Sequence, residues 1–87
     1  MPIKFVEDLQ KRLNDYQERV SKDNIQCIFV EDKVENLLAE AKRYKVYFTA
    51  LKVDKLVISE LNKVINQIDD FLAFVQDSIE ASRRNCL

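Results

Sequence analysis

The chain has 87 residues, 47% of them hydrophobic and 33% charged, with one Pro, no Gly, no His and a net charge of −1. That length makes one domain, and the mixture is too apolar for a disordered chain and too charged for a membrane-embedded one. Without His the commonest general base and metal ligand are gone, and without Gly no phosphate-cradling or dinucleotide-binding loop can form.

The first element is a helix over about 3–20. Val6, Leu9, Leu13, Tyr16 and Val20 recur at steps of three and four, a stripe roughly 80° wide that resembles a coiled-coil seam. Pro2 suits a first-turn position, and Glu7 and Asp8 favour the positive end of the helix dipole. The same two acids interrupt any signal-peptide core, and no apolar run approaches the roughly 20 residues needed to span a bilayer. A cytoplasmic protein with no membrane contact is expected.

The polar tetrad Ser21-Lys22-Asp23-Asn24 is the best break in the chain. Asp23 can cap the next helix, with Gln26 reaching back as in a capping box. Ile25–Val30 could instead form a short strand, but no second strand is available to pair with it. Helix 2 is therefore placed over about 24–52, with Val30, Val34, Leu37, Leu38, Ala41, Tyr44, Phe48 and Leu51 as its stripe.

No Gly or Pro marks the end of helix 2. Asp54 is the best cap for a third helix over about 54–84, with Val53 and Ile58 as a hydrophobic staple. The competitor is one continuous helix of about fifty residues, which would be about 80 Å long and unable to cover its own stripes. The third segment is the most apolar. Val57, Ile58, Leu61, Val64, Ile65, Ile68, Phe71, Leu72, Val75 and Ile79 span an arc of about 140°. Arg83 and Arg84 complement the dipole at its end, and Asn85 can stop it. The expected fold is all-α, a three-helix bundle or a long antiparallel helical hairpin with coiled-coil-like packing. It should be oligomeric, because helix 3 offers a wider apolar arc than helix 1's narrow seam can cover.

Chemistry is sparse. Cys27 and Cys86 are the only cysteines. They make neither a disulfide framework nor a one-chain zinc site, and Cys86 is not placed for prenylation. Cys27 is expected to be semi-buried and Cys86 to sit on a frayed tail. Glu31, Asp32, Glu35, Asp69 and Asp70 are read as a solvated face. No catalytic residue, cofactor or metal is expected, and the protein is read as a non-enzyme.

What stands out is KRYKVYFTALKVDK, residues 42–55, with five Lys or Arg and three aromatic rings. It is a basic island of charge +4 between segments 25–41 at −3 and 56–82 at −4. On the helical wheel Tyr44 and Phe48 fall on the buried stripe. Lys42, Lys45 and Lys52 share a face, with Arg43 on the opposite side. Arg43 and Tyr47 pair at i, i+4 away from the core, with Val46 and Ala50 flanking from other angles. An exposed Tyr and Arg have the composition of interface hot spots. Leu56 and Phe74 also fall outside the apolar arc of helix 3. The reading is a non-enzymatic protein–protein interaction module, such as an assembly subunit, adaptor or inhibitor. It binds a protein partner through Arg43, Tyr47, Leu56 and Phe74, and it is expected to form a homo-oligomer. The alternative is a nucleic-acid-associated regulator contacting phosphates through Lys42, Lys45 and Lys52. It ranks second because one exposed ring is too few for a stacking platform and the rest of the chain is acidic.

Overall fold

A computed structural model describes the backbone of residues 2–22 and 26–85 and the side chains of residues 4–22 and 27–81. Three helices follow one another: α1 over Pro2–Lys22, α2 over Gln26–Ala50 and α3 over Lys55–Asn85. No strand occurs among the described residues. The candidate strand Ile25–Val30 is helical from Gln26 onward, as the first turn of α2; Ile25 and the proposed Asp23 cap lie outside the described residues. The bundle measures 51 × 19 × 15 Å. Its long dimension follows from α3, whose 31 residues extend about 46 Å at 1.5 Å per residue.

Each stripe read from the spacing is buried, with local exceptions. On α1, Val6, Leu9, Leu13 and Val20 are buried and Tyr16 packs on the core. On α3, Leu61, Val64, Ile68, Phe71, Leu72, Val75 and Ile79 are buried, while Val57, Ile58 and Ile65 are half-buried against them. The wide arc of α3 is thus covered within one chain, because α1 and α2 pack on it from two sides. Covering that arc does not require a second chain. On α2 the buried set runs from Cys27 through Val30, Val34, Leu37, Leu38 and Ala41 to Phe48. Cys27 extends the stripe one turn earlier than expected and is fully buried rather than semi-buried. Leu51 leaves the stripe and is 57% exposed.

The reason for Leu51 is the way α2 ends. The Leu51 N–H still donates to the Tyr47 carbonyl at 3.1 Å, but the chain then reverses. The Lys52 N–H donates to the Thr49 carbonyl at 3.1 Å and the Val53 N–H to the Phe48 carbonyl at 3.2 Å. That pair of bonds is a Schellman motif. Its left-handed residue is Lys52, with φ of 56°, where Gly is usual. Val53 and Phe48, joined by the longer bond, both pack into the core. Two residues later Asp54 caps α3 as the sequence suggests. Its Oδ1 accepts the Leu56 N–H at 2.9 Å, and its carbonyl accepts the Val57 and Ile58 N–H groups at 3.0 and 3.3 Å. These bonds satisfy three terminal carbonyls of α2, those of Tyr47, Phe48 and Thr49, and three leading amides of α3, those of Leu56, Val57 and Ile58. They make α2 and α3 an antiparallel hairpin rather than one rod.

In α1, which begins at Pro2, Glu7 and Asp8 stand beyond the first turn. They are too far along to act on the dipole as expected. Asp8 instead pairs with Arg12 at 2.7 Å. Asp15–Arg19 at 3.3 Å and Glu18–Lys22 at 3.2 Å repeat the i, i+4 arrangement. In each pair the acid precedes the base, the favourable order on a helix.

Two stability measurements test this architecture. Lys52→Gly removes the side-chain clash of the left-handed conformation and should raise the unfolding free energy by about 0.5–1 kcal/mol, net of glycine's extra chain entropy. Urea unfolding should show a higher midpoint at unchanged slope. Leu61→Ala and Ile68→Ala, at positions with no solvent exposure, should each cost roughly 2–5 kcal/mol. A change of a few tenths at both would mean that the α3 arc is loosely packed.

Candidate functional site

Residues 42–55 divide between core, surface and turn. Phe48 is buried and Tyr44 half-buried. Their rings stack with centroids 5.9 Å apart, and Phe5 of α1 leans on both, 5.1 Å from Tyr44 and 5.8 Å from Phe48. The cluster ties α1 to the C-terminal half of α2. Phe5, which did not belong to the α1 stripe as read from sequence, is the hinge of this contact. Its spacing of four before Leu9 was the available signal.

A polar bridge runs beside the rings. The Arg12 guanidinium reaches Asp8 with one terminal nitrogen and Glu40 of α2 with the other, both at 2.7 Å. The Tyr44 hydroxyl donates to the other oxygen of Glu40 at 2.9 Å. The Arg12 Nε is shielded from solvent and has no partner among the described residues. Hydrogen bonding from Arg12, aided by the Tyr44 hydroxyl and the charges of Arg12 and Arg43, holds the Glu40 carboxyl below its ordinary range against the opposing effect of burial. The same bond to Glu40 and partial burial push the Tyr44 hydroxyl up.

Around the helix from this bridge, α2 turns a second apolar face outward. Val46 is 72% and Tyr47 60% exposed. Together with Lys42, Arg43 and Ala50 they line one shallow groove. Arg43 and Tyr47 therefore sit together, as their spacing implied. Val46 and Ala50 lie with them on the same face, not at other angles. Tyr47 is not detached from the core, since its ring centroid lies 5.6 Å from that of Phe48. Leu56 and Phe74, 74% and 53% exposed, are on α3 and do not line this groove. They are eighteen residues apart, about 27 Å along the helix, so they do not form one patch with each other either. Phe74 stacks on Phe71 with centroids 6.2 Å apart.

The lysine face breaks up. Lys42 joins Arg43 in the groove rather than opposing it. Lys52 lies past the end of α2 and lines a separate depression at the turn with Lys55, Ile58 and Ser59. The helical wheel that grouped Lys52 with Lys42 and Lys45 does not extend to it. All three are exposed, and none makes an ion pair among the described residues. Asp32, Glu35, Asp69 and Asp70 are exposed and Glu31 is half-buried. Among the described residues no group of three or more His, Cys, Asp or Glu is arranged to hold a metal ion, and no helix is long and apolar enough to cross a membrane.

The bridge generates a pH-dependence. Glu40 has a lowered pKa in the folded chain, so its contribution is complete above its ordinary value and is lost as pH falls through the lowered one. Tyr44, with a raised pKa, contributes below its ordinary value and loses that contribution as pH rises through the raised one. Glu40→Gln should destabilise the protein by about 0.5–1 kcal/mol at pH 7, the range for a partly solvated pair. It should cost almost nothing at an acidic pH low enough to protonate Glu40 in the folded chain as well as the unfolded one. Chemical denaturation at the two pH values reads the difference, and an equal loss at both would assign the effect to packing. No known protein family matches the chain, and neither curated proteins nor solved structures resemble it closely enough to be counted as related.

Proposed function

We propose that this chain is a non-enzymatic protein–protein interaction module of the cytoplasm, an assembly subunit, adaptor or inhibitor that also associates with itself. The outer face of α2 is its binding surface. The observation that supports this reading is the exposure of Val46 and Tyr47 beside Arg43 on a helix whose opposite face is already buried. A helix that needs one apolar face for its own core has a second one that the described residues leave uncovered. Tyr and Arg are the residue types that dominate binding energy at interfaces. Leu56 and Phe74 of α3 are secondary contacts at most, because they stand apart from this face.

Arg43→Ala with Tyr47→Ala tests the proposal. The helical circular-dichroism spectrum should be retained, with a small fall in melting temperature from the lost Tyr47–Phe48 contact. Binding to a protein captured from the native host and identified by mass spectrometry should weaken by more than about 1 kcal/mol, the level that separates hot spots from bystanders. Lys45→Gln with Lys52→Gln, away from the groove, should leave that binding intact. Loss of function in the lysine variant alone, with retention on nucleic acid that falls steeply as salt rises, would favour the nucleic-acid reading instead.

A further inference from the structure

The outer face of α2 has an internal order. From its N-terminal end it presents Ile28 and Phe29, 60% and 61% exposed, then Asp32, then Asn36 and Ala39, then Lys42 and Arg43, and finally Val46 and Tyr47. The sequence of characters is apolar, acidic, small, basic, apolar. Residues eighteen apart return to the same side of a helix with 3.6 residues per turn. Ile28 therefore lies in line with Val46, and Phe29 with Tyr47. Asp32, Lys42 and Arg43 make no ion pair among the described residues. Glu35 is drawn to the α3 edge of the face, where it accepts a hydrogen bond from Gln76 at 3.4 Å.

We infer that this face pairs with the same face of a second copy, the two α2 helices running antiparallel about a two-fold axis at the level of Leu37 and Leu38. In that register Ile28 and Phe29 of one copy oppose Tyr47 and Val46 of the other, and Asp32 opposes Arg43. All three pairings share one midpoint in the sequence, so a single register satisfies them together. A two-fold contact uses the same patch on both copies and must therefore be self-complementary. This patch is so only when antiparallel. A parallel pairing would set Asp32 against Asp32 and Arg43 against Arg43, which like-charge repulsion disfavours. The short side chains of Asn36 and Ala39 at the crossing let the two backbones approach, since interaxial distance follows the size of the contacting residues. The apolar arc of α3 takes no part, being buried within its own chain. This inference rests on α2 being the binding face and names what occupies it.

Charge reversal tests it. Analytical ultracentrifugation of the full chain should show a reversible monomer–dimer equilibrium. Asp32→Arg and Arg43→Asp, singly, should each weaken the dimer by about tenfold or more, because each change creates two repulsive pairs across the axis. The double variant should recover wild-type affinity, since the pairs are restored with reversed sign. Circular dichroism confirms that each variant is folded, and recovery in the double variant excludes a folding defect as the cause. A wild type that stays monomeric to several hundred micromolar overturns the inference. So does a dimer indifferent to the single reversals, or one that the double variant fails to restore. Failure here is distinct from failure of the broader reading. A monomeric wild type whose binding to a foreign protein still depends on Arg43 and Tyr47 overturns self-pairing and leaves α2 as the binding face.

Discussion

The structure depends on one reversal of the chain. Between Ala50 and Lys55 the C-terminal carbonyls of α2 and the N-terminal amides of α3 are satisfied by a Schellman motif and an Asp54 cap placed back to back. This pairs most of the backbone groups freed where the two helices fold onto each other, and it sets their relative register. Phe48 and Val53, tied across the turn, carry that register into the core. The remaining packing follows from it: the apolar arc of α3 meets the stripe of α2, and the groove between them accepts the narrow seam of α1.

That turn is also the part of the fold least legible in the sequence. The stripes of α1 and α3 were legible because apolar residues at steps of three and four have no other economical arrangement, and Asp54 was legible because a carboxylate at a cap has a distinct role. The helix end before it was not, because the left-handed position is held by Lys52 instead of Gly. A helix drawn on to residue 52 puts Leu51 in the core and Lys52 on a lysine face, whereas the reversal exposes Leu51 and turns Lys52 away. Both shifts come from one conformation that composition does not mark.

Contacts between helices were less accessible still. Arg12, Glu40 and Tyr44 form one bridge, yet Arg12 and Glu40 are unremarkable within their own helices, where charged residues are frequent. Only the antiparallel register of α1 and α2 brings them together. The exposed face of α2 was half legible. Arg43 and Tyr47 stood out through composition, whereas Ile28 and Phe29 were absorbed into an apolar run that could equally be core. Periodicity identifies which residues share a face, but α2 has apolar residues on two faces, and packing alone decides which is inside.

Cys27 has a consequence of another kind. The residue is 1% exposed at the first turn of α2, close to where α1 hands over to the next helix. A buried thiol reacts with an alkylating reagent only when its surroundings open. The side chain is therefore a built-in clock. Its labelling rate measures how often the α1–α2 end of the bundle breathes, separately from the α2–α3 turn at the far end.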